Sequence, residues 1–469
     1  MKKIISILIL ALFVQLLNAH PWKPSHYVII DTDAGLDDLK TINMLLASPD
    51  IRVLAITVSG GVMPAESAYI KVRSLLNSYH HQGIKVGVNR GSPSKDFNIP
   101  SAYTWADKNG IITGGSADAI EIISGAVTHE KTPVSFVALG SMNVLDKLHR
   151  EQPGIFDKLK EILWSNESAK PLSGFNYELD SLAARKIITT DIPTRIIGYD
   201  LNFFYDDELV SDISELNTPY AKSTARLFSE KGDHNFIRGL TDDMIALYLH
   251  YPEIFETTNH EGINYLRAYS SKIKNSMICS ILSGKTVNRN QVFKDIPVDT
   301  SFYFPDLQPY IDTIITRHGR EEWEAGVLAN EMHRHFGIYA IIGVKMGIRA
   351  REYYNTGVDE MIVESHAGSS PPVSCLNDGL QLSTGATVGH GLIKVVNDNI
   401  YPEAYFLYKN NKLHIRLKKD IADKIRNELK EINYVYGLDS NIYWELVRQK
   451  AILYWKNLDR HKIFDVTEE

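Results

Sequence analysis

Cysteine is scarce in this chain, which has only Cys279 and Cys375 among its 469 residues. A small scaffold held together by several disulfides is therefore excluded, although one bridge between the two cysteines remains allowed. A chain of this length with so few cysteines must obtain its stability from hydrophobic cores. The length itself predicts about one to three domains.

Concentrated positive charge is also missing. The chain carries 50 lysines and arginines against 57 acidic residues, which gives a formal charge of −7 and a pI near 6.2. Surfaces that bind nucleic acids need a stripe or patch of basic residues, and no long stripe of this kind is present. The composition therefore argues against a nucleic-acid partner.

Long apolar runs are absent beyond the N-terminus. The first residues, MKKIISILILALFVQLLNAHPW, place two lysines before an apolar run over residues 4–17 and the small residue Ala19. This order is typical of a secretory signal peptide, which we predict over residues 1–19. An uncleaved anchor is the alternative, but the run is short for a membrane span. We expect an exported mature protein, periplasmic or secreted, without a membrane span.

What the chain does contain is a regular alternation of apolar runs and amphipathic stretches. From residue 27, YVIIDTD, RVLAITVSG, IKVGV, PVSFVALG and TRIIGYD are typical of strands, with helical stretches such as LDDLKTINMLLASP between them. Continuous apolar strands alternating with helices predict an α/β fold with an open, mostly parallel sheet. Near residue 320 the pattern changes, which predicts a smaller α+β domain. The predicted domains are residues 26–320 and 322–469, the second with C-terminal helices.

The segment VIIDTDAGLDDLK crowds four aspartates directly after the first predicted strand. Ligands of parallel sheets bind beyond the carboxyl ends of the strands, and carboxylates so close together repel unless a cation compensates them. A hard cation such as Ca²⁺ or Mg²⁺ suits such oxygen ligands. Two alternatives are acidic residues that merely favour a helix N-terminus, and an aspartyl-phosphate enzyme. The first leaves Asp31 and Asp33 unexplained, and DTDAG departs from the D-x-D-G-T pattern of the second.

The same segment resembles a known family. DTDAGLDD is similar to the N-terminal signature D-x-D-x-G-x-D-D of the inosine-uridine-preferring nucleoside hydrolases. VALGSMNVL, GFNYELDSLAA, TDDMIALYL and ILSGKTVNRNQVFKD resemble later family segments in the same order, so the resemblance covers roughly residues 26–320. It implies a sheet of the nucleoside hydrolase type and a Ca²⁺-dependent hydrolase that cleaves N-glycosidic bonds of nucleosides, purine nucleosides included, or of related ribosides.

The resemblance also implies which residues form the site. The expected Ca²⁺ ligands are Asp33, Asp37, Asp38, the backbone carbonyl of Leu139, and Asp243. Asp33 would act as the general base, and Asp37 and Asn176 would contact the sugar. These residue types suit the reaction, because carboxylates stabilise an oxocarbenium-like transition state and a metal eases deprotonation of water.

Three positions depart from the family pattern. Gly61 replaces an Asn, Gly174 replaces a Glu, and Asp242 stands at the position of the leaving-group His. The two glycines are expected to make room for a ligand larger than a simple nucleoside. Asp242 is predicted to be catalytic as a proton donor, which would require a raised pKa.

A second resemblance covers roughly residues 322–420. EMHRHFGIYAIIGVKMGIRA and VESHAGSSPPVSCLNDGLQLSTGATVGHGLI resemble the core domain of the E-type subunit of formylmethanofuran dehydrogenase, although Gly337 stands where many members have Cys. Imidazole and thiolate groups suit Zn²⁺ or another transition metal. The predicted second metal site consists of His333, His335, Cys375 and Asp378. The alternative is that Cys375 is a small core residue.

The sequence therefore favours a Ca²⁺-dependent N-ribosyl hydrolase with an appended metal-binding domain and a small-molecule nucleoside or riboside as partner. One alternative is a calcium-dependent nucleoside- or sugar-binding protein without catalysis, since several family residues are replaced. Another is a redox or metal-handling protein that acts through its C-terminal domain. The oligomeric state stays open, and a homo-oligomer is compatible with the sequence.

Overall fold

The computed structural model describes residues 23–94, 116–229, 238–260, 262–284, 292 and 296–469. The predicted signal peptide over residues 1–19 lies outside these described residues. Among the described helices, none combines the length and the apolar character that crossing a membrane requires.

The first unit is built on a large, mostly parallel sheet, as the sequence predicts. Its described strands are β1 (His26–Thr32), β2 (Ile51–Val58), β3 (Lys85–Val88), β4 (Ala117–Asp118), β5 (Val134–Ala138), β6 (Leu159–Ser165), β7 (Ser168–Ala169), β8 (Leu172–Ser173), β9 (Thr194–Ile197), β10 (Asp200–Phe204), β11 (Gly239–Leu240), β12 (Phe255–His260) and β13 (Ile263–Ala268). The sheet order among these residues is β12-β13-β9-β6-β5-β1-β2-β3-β4, and only the edge pair β12–β13 is antiparallel. Strand β1 lies at the centre, where its apolar residues are buried on both faces.

Helices cover both faces of this sheet, which explains why its strands are continuous apolar runs. The described helices of the first unit are α1 (Leu36–Ala47), α2 (Ala65–Ser78), α3 (Ala119–His129), α4 (Asn143–Glu151), α5 (Pro153–Phe156), α6 (Phe175–Leu179), α7 (Ser181–Ile188), α8 (Asp207–Glu215), α9 (Pro219–Ser229), α10 (Asp243–His250) and α11 (Asn275–Leu282). Two hydrophobic cores result, one on each side of the sheet. The predicted α/β class is confirmed.

The second unit is a smaller α+β domain, also as predicted. Its strands are β14 (Ile362–Ser365), β15 (Ile393–Val395), β16 (Glu403–Tyr408), β17 (Asn411–Leu417) and β18 (Phe464–Glu468), in the sheet order β15-β14-β16-β17-β18. Its helices are α12 (Ile311–His318), α13 (Arg320–His333), α14 (Ile338–Tyr354), α15 (Leu376–Thr384), α16 (Lys419–Tyr436) and α17 (Asn441–Asn457). Helix α14 is buried along nearly its whole length, which explains its apolar sequence.

The second core begins earlier in the chain than the sequence pattern indicates. Leu307, Ile311 and Ile314 pack in the same cluster as Trp323 and the residues of α14. Helix α12 therefore belongs with the second unit, although the predicted boundary lies at residues 320–322. The change of pattern near residue 320 marks the start of α13, which is one helix later than the start of the second core.

The two units are joined by specific polar contacts. The end of α14 meets the loop after α2, where the Gly83 amide donates to the Tyr353 carbonyl (2.8 Å) and Arg349 donates to the His80 carbonyl (3.2 Å). Arg52 of β2 forms an ion pair with Glu360, with Nε 3.0 Å from a carboxylate oxygen. The second unit thus packs against the first through hydrogen bonds to backbone carbonyls and through a mostly buried ion pair.

Candidate functional site

The chain between β1 and α1 places aspartates at the carboxyl end of the central strand. Strand β1 ends at Thr32, and α1 begins at Leu36 with Asp37 and Asp38 in its first turn. Between them Ala34 adopts a left-handed conformation with φ of 60°. A non-glycine residue in this region costs about 1–3 kcal/mol, and such strain is concentrated at functional sites. The tight turn brings both ends of the DTDAGLDD segment together.

Three carboxylates converge at this point. Oxygen atoms of Asp37, Asp38 and Asp242 lie within 4.8 Å of one another, and in the described part of the chain this is the one group of three such candidate metal ligands. Asp38 and Asp242 are 3% and 1% exposed. Burial, together with the neighbouring carboxylates, raises the pKa of both well above the usual range for aspartate. The donor set fits a hard divalent cation, which would favour the charged form of all three groups.

Asp243, which the resemblance predicts as a metal ligand, is not a member of this group of three carboxylates. Its carboxylate accepts a hydrogen bond from the Tyr205 hydroxyl (2.7 Å) and pairs with Lys40 Nζ (3.0 Å). Both side chains of the Lys40–Asp243 pair are fully buried. The two neighbouring aspartates thus have different partners, although Asp243 also contacts α1, the helix on which Lys40 lies. The role of Asp243 as a metal ligand stays a prediction. So does that of Asp242 as a proton donor, for which burial supplies the raised pKa that the prediction requires.

Asp33 lies beside the group and is turned toward the neighbouring loop. Its carboxylate accepts hydrogen bonds from the backbone amides of Gly35 (3.1 Å) and Val62 (3.0 Å). A Cβ at Gly61 would stand 1.8 Å from one of its oxygens. The space at Gly61 is thus filled by Asp33 and is not open to a larger ligand as predicted. Burial raises the pKa of Asp33 to about 6.

Asp31, the first of the four aspartates, has a structural role. Its carboxylate accepts hydrogen bonds from the hydroxyls of Thr57 (2.6 Å) and Ser59 (2.9 Å) on the adjacent strand and just beyond its end. Ser59 in turn receives a hydrogen bond from Asn89, whose amide also donates to Asn143. This buried network ties the carboxyl ends of neighbouring strands together beneath the site. Burial raises the pKa of Asp31 to about 7.

Asn176 and Leu139, which the resemblance places at the site, contact each other directly. The Asn176 amide donates to the carbonyls of Leu139 (2.7 Å) and Ser165 (2.9 Å), and its side chain is buried. Asn176 therefore fixes the carbonyl that was predicted to bind Ca²⁺. Their roles as sugar contact and metal ligand stay predictions.

Sequence reasoning missed several polar residues of the site. The hydroxyl of Thr32 donates to Asp38 (2.5 Å), that of Ser165 donates to Asp242 (2.5 Å), and that of Tyr199 lies 3.5 Å from the same Asp242 oxygen. Thr32 and Ser165 are the last residues of β1 and β6, and Tyr199 follows β9. Their position at carboxyl ends of parallel strands is the signal that could have identified them.

The space beside Gly174 is also occupied, in this case by the side chain of Glu167. The φ of 118° at Gly174 is in the region that favours glycine, and a Cβ there would lie 3.0–3.2 Å from the side chain of Glu167. Glu167 is exposed and follows Ser165 by two residues. A carboxylate is therefore present near the position where the resemblance predicts a lost Glu, although it is supplied by a different residue.

The four residues predicted as a second metal site come together in the second unit. His333 Nδ1 is 2.6 Å from an Asp378 oxygen, and Cys375 is near enough to the same imidazole to influence its pKa. The His335 ring lies 4.1 Å from that of His333, centroid to centroid. Asp378 and Cys375 raise the pKa of His333 to about 9, whereas burial and His333 lower that of His335. Metal binding by these residues stays a prediction.

Comparisons with known proteins agree with the two-part organisation. The family model described as inosine-uridine preferring nucleoside hydrolase matches residues 28–295. A second model, described as FmdE, molybdenum formylmethanofuran dehydrogenase operon, matches residues 332–440. The two matched ranges fall in the first and second structural units.

Individual relatives are similar to the first unit. The chain is 26% identical over 317 residues to the pyrimidine-specific ribonucleoside hydrolase RihA of Photobacterium profundum, covering 62% of this chain and 98% of the relative. It is 24% identical over 215 residues to the pyrimidine-specific ribonucleoside hydrolase RihA of Shewanella oneidensis, covering 43% of this chain and 68% of the relative. Among solved structures, a plant nucleoside hydrolase, the PpNRh1 enzyme, is 16% identical with a TM-score of 0.46, covering 56% of this chain and all of that chain.

Proposed function

Because the chain belongs to the inosine-uridine preferring nucleoside hydrolase family, we propose that it hydrolyses the N-glycosidic bond of ribonucleosides. The observation that carries this proposal is the convergence of Asp37, Asp38 and Asp242 at the carboxyl end of the central strand. The curated relatives named above are pyrimidine-specific, so we propose uridine and cytidine as the first substrates to test, with inosine beside them.

We propose that Asp37, Asp38 and Asp242 hold a Ca²⁺ ion, with Asp33 and the Leu139 carbonyl nearby. When bound, Ca²⁺ would supply Lewis-acid chemistry that lowers the pKa of a water and binds sugar hydroxyls. The electrostatic reason is the excess of buried negative charge. Lys40 is already paired with Asp243, and a single ammonium does not offset three further carboxylates.

The protein's own residues have distinct tasks in this proposal. Asp33 accepts the proton of the attacking water, since its carboxylate lies beside the group of three aspartates. Asn176 positions the Leu139 carbonyl through the hydrogen bond described above. Ser165 and Tyr199 orient Asp242 by donating to, or lying beside, one of its oxygens. The charged carboxylates stabilise the positive charge that develops on the sugar.

The test is turnover of a nucleoside panel by the purified full chain, with Ca²⁺ and after treatment with a chelator. We expect release of free base that requires the cation, and a loss of at least about a hundredfold in Asp33→Asn. Asp207→Asn is the matched control, because that aspartate is 95% exposed and removal of its charge should leave turnover unchanged. Binding of nucleoside without any cleavage would contradict hydrolysis and favour the nucleoside-binding alternative.

We also propose that the protein is exported, on the basis of the N-terminal sequence alone. The N-terminal residue of protein recovered from cells decides this proposal. A start near His20 supports export. Cytoplasmic protein that retains Met1 contradicts it.

A further inference from the structure

A cavity of about 330 Å³ lies between the two units, and none of the aspartates of the first site lines it. The first unit contributes residues 53–55 of β2, residues 83–85 at the start of β3, and one face of α3. The second unit contributes Tyr354, at the end of α14, and the turn between β16 and β17. The aspartates follow the carboxyl end of β1, whereas this cavity lies toward the amino ends of β2 and β3. Its volume is within the range of about 300–1,000 Å³ that is typical of small-molecule sites.

Both lysines that line the cavity already have carboxylate partners. Lys85 Nζ is 2.8 Å from a carboxylate oxygen of Glu468, and the same carboxylate accepts a hydrogen bond from the Tyr354 hydroxyl (3.2 Å). Lys409 forms an ion pair with Glu130. An anionic ligand would have to displace one of these carboxylates, so the cavity disfavours anions.

Three other polar side chains of the cavity are unused by the protein. Glu121 and Asn410 are exposed, and Asn411 is half-buried. In the described part of the chain, none of these three side chains forms a hydrogen bond or an ion pair. A carboxylate only accepts hydrogen bonds, whereas an amide both donates and accepts. The cavity therefore offers one uncompensated negative charge beside two free amides.

Two tyrosines of the second unit form another wall. The rings of Tyr354 and Tyr408 lie 5.2 Å apart, centroid to centroid, and the two residues are 3% and 8% exposed. The Tyr408 hydroxyl has no hydrogen-bond partner among the residues that the structure describes. A nearly buried hydroxyl without a partner is unfavourable unless a ligand or water satisfies it. This wall thus combines aromatic rings with an unused hydroxyl group.

Gly125 keeps the wall formed by α3 flat. It lies inside the helix, one turn after Glu121, and a Cβ at this position would meet no atom within 4 Å. Glycine is less favourable than alanine inside a helix, and no close neighbour requires it here. Ile122, Ala126 and Leu54 line the same side of the cavity. A flat, apolar wall with open space in front of it suits the face of a planar ring.

We propose that this cavity binds a nucleobase that carries an exocyclic amino group, such as cytosine. The ring lies against the flat wall at Gly125, its amino group donates to Glu121, and its ring nitrogen and carbonyl pair with the amides of Asn410 and Asn411. Carboxylates accept from the amino group of cytosine, and amide side chains pair with adenine, where proteins contact bases in DNA. A carbonyl in place of the amino group, as in uracil, would face the carboxylate without a proton between them.

This proposal is independent of hydrolysis at the aspartate cluster, because the ligand contacts none of those residues. The base would contact both units at once, since the cavity is lined by α3 and by the turn between β16 and β17. A ligand that binds only the folded, joined arrangement stabilises it.

The test is equilibrium dialysis of the full chain against cytosine and against uracil, in the presence of a chelator. We expect one cytosine per chain, bound about tenfold more tightly than uracil. Glu121→Gln should lose most of this preference, because an amide can present a donor to the uracil carbonyl. Cytosine should also raise the unfolding temperature of the wild-type protein.

A pair of glycine variants locates the site. Gly125→Leu places a side chain in the cavity and should weaken cytosine binding at least about tenfold. Gly154→Leu is the matched control, because a Cβ at Gly154 also meets no atom within 4 Å and this residue lies on α5, outside the cavity. The unfolding temperature of Gly125→Leu without ligand should not fall, since leucine is the better helix former.

Equal cytosine affinity in wild type and in folded Gly125→Leu would overturn the proposal. So would equal affinity for cytosine and uracil, or an absence of saturable binding at millimolar base. Binding that is lost in Asp37→Ala and kept in Gly125→Leu would place the base at the aspartate cluster and would also contradict the proposal. Nucleoside turnover with or without these results tests the hydrolase separately.

Discussion

At the scale of single residues, the adjacent aspartates 242 and 243 have opposite environments. Asp242 faces two other carboxylates, whereas Asp243 faces the ammonium of Lys40 and the hydroxyl of Tyr205. The first is a buried like-charge arrangement that favours a bound cation, and the second is a buried ion pair that is already balanced. Charge removal should therefore affect the two positions differently.

The first prediction concerns this pair. Asp242→Asn should weaken Ca²⁺ binding by roughly tenfold or more, since ligand charge sets affinity, without destabilising the cation-free protein. Asp243→Asn should lower the free energy of unfolding by about 3 kcal/mol, because Lys40 would remain buried without its partner charge. Calorimetric Ca²⁺ titration and urea unfolding in chelator measure the two effects. Identical behaviour of the two variants would show that the assigned roles are wrong.

The second prediction concerns Glu167, whose side chain occupies the space beside Gly174. Because Glu167 is exposed and follows Ser165 at the end of β6, we expect its carboxylate to contact a ribose hydroxyl. Glu167→Gln should raise KM for ribonucleosides about tenfold, with a smaller change in kcat, because a charge-assisted hydrogen bond is lost. Glu151→Gln, at the exposed end of α4, is the control. A KM equal to that of wild type would remove Glu167 from the site.

At the scale of elements, helices α1 and α14 meet at their C-terminal ends. Asn355 follows α14 with a left-handed φ of 51°, and its amide donates to the Leu46 carbonyl of α1 at 3.1 Å. Its own carbonyl accepts a hydrogen bond from Arg52. The helix that carries Asp37 and Asp38 at one end is thus held at the other end by the second unit.

The third prediction follows from this contact. Asn355→Gly keeps the left-handed backbone and loses the hydrogen bond to Leu46, so the free energy of unfolding should fall by about 1 kcal/mol. Asn355→Ala should cost about 1 kcal/mol more, because a left-handed conformation strains a residue with a Cβ. Urea unfolding of the two variants separates the contact from the strain. A glycine variant as destabilised as the alanine variant would contradict this division.

At the scale of the whole molecule, histidines lie in the contact between the two units. His81 is buried, with its ring nitrogens 2.5 Å from the Glu352 carbonyl and 2.6 Å from the Tyr220 hydroxyl. His80 stacks on His461 of the second unit, with ring centroids 3.4 Å apart. Burial lowers the pKa of both His80 and His81 to about 4, aided at His80 by His461. Arg349, Arg460 and Glu352 also face these rings, with Arg52 near His81.

The fourth prediction is that acid weakens the fold through these histidines. An unfolded histidine titrates near about 6.5, so between about pH 6.5 and 4 the unfolded chain binds protons that the folded chain excludes. The contribution of these histidines to the free energy of unfolding is therefore constant above about pH 7 and declines as the pH falls toward about 4. Asp31 acts in the opposite direction, since burial raises its pKa to about 7 and its contribution is lost as the pH rises.

The histidine contribution is read from a variant rather than from wild type alone. His81→Asn should reduce the pH dependence of the free energy of unfolding by about one proton over this range. His129→Asn, at the exposed end of α3, should leave the dependence unchanged. Equal pH dependence in wild type and His81→Asn would assign the acid sensitivity to other groups.

The sequence alone determined the two-domain organisation, the α/β class of the first unit and the position of the aspartate cluster. These features depend on local properties, namely strand and helix periodicity and a short motif at the end of β1. The motif predicted that Asp37 and Asp38 share a site, because residues of one short segment stay close together in any fold. The change of pattern near residue 320 indicated the second unit, whose hydrophobic core also includes Leu307 and residues of α12.

Only the tertiary structure decided which distant residues complete each site. Asp243 pairs with Lys40, which is about two hundred positions away in sequence, whereas Asp242 faces Asp37 and Asp38. The spaces at Gly61 and Gly174 are filled by Asp33 and Glu167, which sequence-based reasoning treated as open room. The contact between His333 and Asp378 likewise arises because α13 and α15 pack side by side. Side-chain direction and packing across elements are properties of the folded chain, and no local pattern encodes them.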